Sequence, residues 1–547
     1  MPGQWTPLQT QPPFDPSTML LLMDGTAICN VSNSSAWWKL TPDSGGGYIN
    51  GTWSQIASMK NARLYYASAV LSDGRVFVAG GEYNGGDTEV ELDAAEIYDP
   101  IADAWSDLPT PGWGHIGDAP CCVLPNGVFL LGDISSPQAA ICDPASNKWT
   151  PTGPKDDACS EETWTLLPDG SVLTAECTNH PKAERYIPAS NEWVPAGSIP
   201  AGSDLVESAS IEIGPALLLP NGKVFAIGAT GQTAIYTPAS ATAPELWTAG
   251  PPFDQLRQAK DAPGCLLPNG RVLCTVGTAA VGEKYPGPTY FYEYDGVNLV
   301  KVDDPPNASD QTNGPFDSRL LLVPTGDVLF AKSGEIYVYT PDAASGQPDG
   351  SWLPAITSAP PVVAPGGTYG LQGYQLTGLS QAVSYGDDAA MATNYPIIRV
   401  DAAGQVFYAR TSGMSDMGVA RGDTKQSCQV TFPANLPLGN ASLSVITNGI
   451  RSAARTVAIS TTPVPPLDFS VVNILTSSLK SGPLWLLDEH GPTAMVYSAP
   501  PTPDTQAIEQ EVRAIYSNLI ASYTRLRELR RLFFSSGQDG SADKDES

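Results

Sequence analysis

Carboxylates recur in this chain at a fixed distance from a recurring turn. Seven tripeptides carry the turn: Met23-Asp24-Gly25, Ser72-Asp73-Gly74, Pro125-Asn126-Gly127, Pro168-Asp169-Gly170, Pro220-Asn221-Gly222, Pro268-Asn269-Gly270 and Pro324-Thr325-Gly326. Nine residues before the glycines stand Pro16, Tyr65, Asp118, Glu161, Ile213, Asp261 and Asp317. Where the first and fifth copies lack an acid, the residue one earlier supplies Asp15 and Glu212. Along a strand, equal parity means one face. Like charges brought together raise one another's pKa, and a bound cation relieves them. Hard oxygen donors suit Ca²⁺ or Mg²⁺, which take six or more oxygens. The metal set would be Asp118, Glu161, Asp261 and Asp317. The wider set, with Asp15, Tyr65 and Glu212, could equally hold a cationic or polyhydroxylated organic ligand. A third arrangement stays open: a hydrated ring in which carboxylates cap backbone N–H groups or pair with Lys260 or Arg319.

Other candidates for chemistry are sparser. His115 precedes Asp118 in a glycine-rich stretch, and a His–carboxylate pair could do acid–base work. Glu161, Glu162 and Asp118 could form an acid/base pair of the sugar-cleaving kind. His180 and His490 show no partners in the sequence. Nine cysteines, an odd number, form no metal spacing and fit small buried hydrophobes; a Cys159–Cys177 bridge stays open.

The elements that must position these residues follow from the turns. Each turn sits between two apolar runs, as in Ala67-Ser-Ala-Val-Leu71 and Arg75-Val-Phe-Val-Ala-Gly-Gly81, and an aromatic strand and usually a tryptophan follow. Asp-Gly and Asn-Gly favour two-residue hairpins. Repeats of about 40–50 residues with four strands each define a β-propeller. Residues 1–357 therefore read as a seven-bladed propeller. Trp53, Trp105, Trp149, Trp193, Trp247 and Trp352 fill gaps between blades. Trp5 also fits the outer-strand pattern and competes with Trp352 to close the ring.

Pro360–Pro365 marks a boundary, and the short strands of 358–460 suit an immunoglobulin-like β-sandwich. A Pro/Ser-rich linker covers 461–503. Ile508, Val512, Ile515, Leu519, Ser522, Leu526, Leu529 and Phe533 then mark an amphipathic helix over 504–535. It could lie on the chain's own surface or drive homo-oligomerisation. An acidic tail, 536–547, reads as disordered. The net charge of −28 argues against nucleic acid as a partner, and no apolar run is long enough to span a membrane. No secretion signal is visible at Met1-Pro2-Gly3, which points to the cytoplasm by default.

With these residues in hand, the chain resembles the kelch-repeat, galactose-oxidase-like proteins. Ala67–Gly81 carries the repeat, and Gly367–Ile459 follows it as an early-set sandwich would. The resemblance implies that the nine-back positions begin the innermost strands, at the rim of the central channel. It also suggests an extracellular setting and carbohydrate binding. The family's oxidases use copper, two Tyr, two His and a Tyr–Cys cross-link. Carried over position by position, only Tyr65 is kept. Phe316-Asp317 replace the Tyr-His pair, Phe14-Asp15 the cysteine, and Thr411-Ser412-Gly413 the sandwich histidine. The expectation is a non-oxidase binding or scaffold protein for a cation, glycan or protein partner. The rival is a carbohydrate-active lyase, epimerase or hydrolase using the mouth carboxylates.

Overall fold

The computed structural model describes residues 3–282, 284–305, 314–381 and 394–461. The linker, helix and tail expected beyond residue 461 lie outside the described residues. Seven four-stranded antiparallel sheets form the first part of the chain, at residues 16–56, 67–108, 121–151, 165–198, 216–249, 264–302 and 318–340, the last completed by Gln4–Pro7. We number them blades 1 to 7. The N-terminal strand pairs antiparallel with Glu335–Thr340, so blade 7 is built from both ends of the propeller. Trp5, not Trp352, therefore closes the ring. Its indole packs 4.7 Å from the rings of Phe291 and Tyr339 and 5.5 Å from Phe330. Trp352 ends a short 3-10 helix, and its ring lies under Gly270.

The turns that announce each blade differ from the expected two-residue hairpin. Only the glycine has positive φ, from 77° at Gly25 to 88° at Gly74. Leu22 N–H bonds Thr26 O at 2.7 Å and Gly25 N–H bonds Leu22 O at 3.0 Å, which is a type I turn followed by a glycine bulge. The Asp or Asn before the glycine has a different task. Asp24, Asp73, Asn126, Asp169, Asn221 and Asn269 each accept the N–H two residues on, closing an Asx turn.

Tryptophans on the outermost strands join neighbouring blades by a hydrogen bond as well as by packing. Trp53 Nε1 donates to Thr10 O, Trp105 to Ala57 O, Trp149 to Pro109 O, Trp193 to Thr152 Oγ1, Trp247 to Ala196 O, and Trp5 to Asp303 O. Each acceptor lies in the outer strand of the preceding blade or just after it. Blade 6 has no such tryptophan. There Tyr294 stacks on Phe225 of blade 5, centroids 3.9 Å apart.

A nine-stranded arrangement over 355–459 follows, beginning slightly before the expected boundary. It docks on the turn face of the propeller. Thr411 N–H bonds Met23 O, Met414 N–H bonds Ser72 O, Met417 N–H bonds Pro125 O and Arg421 bonds Pro168 O, at 2.8–3.3 Å. A Cβ on Gly25 would lie 2.7 Å from the Tyr408 ring, so this turn needs glycine for contact as well as for φ. All nine cysteines are buried and free, which removes the Cys159–Cys177 bridge.

Trp5→Ala is expected to destabilise the propeller by about 3 kcal/mol, the cost of losing a packed indole. Deleting residues 3–7 should cost more, because blade 7 would lose a strand. Thermal unfolding by circular dichroism checks this; an unchanged melting temperature in both variants would show that closure does not depend on this strand.

Candidate functional site

The inner strand of each blade runs from the open face toward a turn on the sandwich-covered face. Its first residues therefore surround the ring axis at the open end. A cavity of about 510 Å³ lies there, lined by Tyr65, Asp118, Glu161, Glu212, Asp261 and Phe316 from blades 2 to 7. Asn33 from blade 1, Tyr285 from blade 6, and Glu82, Tyr83 and Asp87 from a long blade 2 loop complete the wall. Among the lining residues six are carboxylates and none is basic.

The structure thus brings Tyr65, Asp118, Glu161, Glu212 and Asp261 together and leaves Asp15 and Asp317 outside the lining. In blade 7 the 3-10 turn Pro315–Asp317 alters the register, so Phe316 meets the cavity instead. Asp15 belongs to the backbone link of blade 1, where its C=O accepts the N–H of Ser32 at 2.9 Å. Of the set Asp118, Glu161, Asp261 and Asp317, Glu161 and Asp261 belong to a cluster of three carboxylates in which Glu212 is the third member. One carboxylate oxygen from each of Glu161, Glu212 and Asp261 lies within 4.8 Å of the others.

Local geometry explains these placements. Tyr65, Glu161 and Asp261 share positive φ, at 52°, 55° and 47°, so the chain kinks at the same repeat position in blades 2, 4 and 6. Glu212 is held from two sides. Its backbone C=O accepts the N–H of Glu207 at 2.9 Å, and its Oε1 accepts the Tyr285 hydroxyl at 2.6 Å. Lys260 sends its ammonium to Glu207 Oε2 at 3.2 Å and Gly282 O at 2.7 Å. Behind Tyr65, the Arg319 guanidinium lies 5.5 Å from the ring centroid and donates to the carbonyls of Phe316 and Ser318.

The acid–base candidates separate. Glu162 points away from Glu161 into blade 4, where its Oε1 meets Lys155 at 3.0 Å and its Oε2 accepts Trp164 Nε1 at 3.1 Å. Lys155 also pairs with Glu184 at 3.1 Å and lies 3.5 Å from Asp157. His115 Nδ1 sits 2.9 Å from Asp133, and neither lines the cavity. His180, expected to be without a partner, pairs with Asp204 at 2.7 Å. His490 lies outside the described residues.

Sequence reasoning missed Asn33, Glu82, Tyr83, Asp87 and Tyr285. They stand on connections with no repeat register. The acid-rich stretch Glu82–Asp93 was the one signal for Glu82, Tyr83 and Asp87. Asn33 ties that loop to blade 1 by accepting from Gly85 N–H at 2.8 Å and donating to Gly86 O at 2.9 Å. Burial pushes the Tyr83 hydroxyl up to about 12, with Glu82, Glu89 and Asp118 adding to it.

A kelch motif matches residues 63–112, which contain blade 2. An F-box/kelch-repeat protein of Arabidopsis thaliana is 33% identical over 105 residues, 19% of each chain. A galactose oxidase of Gibberella zeae is 41% identical over 58 residues, 11% of this chain and 8% of that one. A kelch-like protein of Aspergillus terreus is 32% identical over 89 residues, 16% of this chain and 19% of that one. The chain thus spans about a fifth or less of the curated relatives it matches. A solved copper-bound fungal alcohol oxidase shares the fold at a TM-score of 0.50 and 13% identity, over 84% of this chain and all of that one. In motif and fold the chain is similar to the kelch-repeat, galactose-oxidase-like proteins. Copper does not suit this mouth: the donors that line it are carboxylates and phenols, with no imidazole or thiol among them.

Two carboxyls outside the cavity lining, Glu176 buried and Glu91 half-buried, set a pH dependence. Burial pushes Glu91 up to about 8, with Glu89 and Glu82 contributing, and pushes Glu176 up to about 7, with Asp157 contributing. A carboxyl whose folded pKa exceeds its unfolded value binds its proton preferentially in the folded state. Stability from these groups is present below about pH 5 and is lost as pH rises through 7 to 8. The melting temperature should therefore fall between pH 5.5 and 8.5 in chelator-treated protein. Glu176→Gln should flatten that fall and add about 1–3 kcal/mol at pH 8.5. A melting temperature that rises over this range would contradict the assignment.

Proposed function

We propose that this chain is a binding protein that receives a cationic ligand in the open mouth of its propeller. The kelch propeller fold supports a binding or scaffold role. The observation that carries the finer reading is the lining of the cavity: six carboxylates, four aromatic rings and, among the described residues, no basic side chain around about 510 Å³. Carboxylates concentrated in a concave, partly desolvated site focus a negative potential that raises the local concentration of cations. Tyrosine and phenylalanine rings add cation–π attraction for an organic ammonium or guanidinium. A metal ion, a polyamine and the basic side chain of a protein partner share this chemistry. A neutral glycan would use the hydroxyls of Tyr65, Tyr83 and Tyr285 instead, without need of the charge.

Isothermal titration with Ca²⁺, spermidine, an Arg/Lys-rich peptide and a neutral oligosaccharide separates these ligands. At least one cation should bind, more weakly as salt rises, since exposed charge interactions are screened. The Asp118→Asn, Asp261→Asn double variant should weaken that cation by about tenfold or more, equivalent to ~1.4 kcal/mol. Binding of the oligosaccharide alone, unaffected by the double variant, would refute the cationic reading.

A further inference from the structure

We infer that Glu161, Glu212 and Asp261 form a calcium site on the wall of the mouth contributed by blades 4, 5 and 6. This deepens the cationic reading above and rests on it. The first observation is the convergence of three carboxylate oxygens, one from each residue, within 4.8 Å of one another. A point exists that is no more than about 2.8 Å from all three, within reach of the 2.3–2.6 Å of Ca²⁺–oxygen bonds. Ca²⁺ accepts irregular oxygen sets of six to eight, whereas Mg²⁺ demands near-ideal octahedral geometry that three carboxylates on one wall do not supply.

The second observation is independent of the clustering. Glu212 is only 7% exposed, yet its Oε2 has no hydrogen-bond donor. Its other oxygen is engaged by Tyr285, which fixes the carboxylate plane. A buried carboxylate oxygen without a donor is costly, and the cavity it lines offers carboxylates rather than N–H groups. A cation between the three residues would supply the partner that Glu212 Oε2 lacks.

The chemistry narrows further from the ligand count. Three protein carboxylates leave at least three positions on a six- to eight-coordinate ion. Those positions face the remaining cavity, toward Asp118, Tyr65 and Tyr83. The ion would therefore be open to water or to oxygens of a further ligand, as in exchangeable extracellular-type sites rather than closed structural ones. Tyr285 donates to Glu212 itself, so its ring lies close enough to transfer excitation to a lanthanide in the site.

The test uses the full chain after chelator treatment. Tb³⁺ titration with excitation of tyrosine should give sensitised emission that Ca²⁺ displaces and Mg²⁺ displaces at least tenfold less well. Glu212→Gln keeps the acceptor for Tyr285 but removes the charge, and should weaken Ca²⁺ at least tenfold. Asp261→Asn, a second variant with its own chance of folding normally, should do the same. Asp107→Asn, an exposed carboxylate on the outer strand of blade 2 paired with Lys60, should change affinity less than threefold. Circular dichroism at 20 °C verifies folding of each variant. Spermidine is titrated in parallel. Spermidine binding without Ca²⁺ binding overturns the calcium site and leaves the cationic mouth standing. Binding of neither overturns both. Ca²⁺ affinity unchanged in folded Glu212→Gln also overturns the site.

Discussion

Closure of the ring is the constraint on which the rest of this structure depends. Seven twisted sheets expose apolar faces to one another, and each is covered only if every neighbour is in place. The chain closes the circle by lending its N-terminal strand to the final blade, with Trp5 wedged among Phe291, Phe330 and Tyr339. Around the circumference the same device is repeated, an indole N–H given to the outer strand of the preceding blade. The hydrogen bond matters because a buried indole N–H without an acceptor would offset much of the gain from packing the ring. These contacts fix the angle between blades, and that angle sets the separation of the inner-strand ends.

The two faces of the propeller acquire different roles from one strand polarity. Each inner strand begins at the open mouth and ends in a glycine-bulge turn. The turns present backbone carbonyls of Met23, Ser72, Pro125 and Pro168 that the sandwich binds through its own N–H groups and Arg421. With one end covered by the sandwich, the cavity lies at the other. There the alternation of side chains sorts adjacent acids by one residue. Glu161 faces the cavity, while Glu162 turns into blade 4 and is neutralised by Lys155. Asp261 faces the cavity, while Lys260 is drawn to Glu207. The mouth stays uniformly acidic because its basic neighbours are committed elsewhere.

Much of this was legible in the sequence where local rules operate. The Asx-plus-glycine turn is a local device, so seven copies revealed seven blades, although the turn type differs from the two-residue hairpin that the dipeptides suggest. The choice between Trp5 and Trp352 was not legible, because both occupy aromatic outer-strand contexts and only long-range pairing distinguishes them. The register nine residues before each glycine found Tyr65, Asp118, Glu161 and Asp261 because those strands enter the channel alike. It failed for Asp317, where a 3-10 turn intervenes, and for Asp15. Glu82, Tyr83 and Tyr285 come from connections whose course depends on tertiary contacts such as the Asn33 bridge. The family likeness led to the fold and, through its copper ligands, to what is missing from this mouth.

The central claim is that the acidic mouth is built to hold a hard cation between three blades. A crystal structure of the full chain grown in the presence of Ca²⁺ tests it most directly. The account predicts an ion bonded to carboxylate oxygens of Glu161, Glu212 and Asp261 at about 2.3–2.6 Å, with its remaining positions open to the cavity. A mouth in which these three carboxylates are separated by protein donors, or an ion bound elsewhere with this site filled only by water, would contradict it.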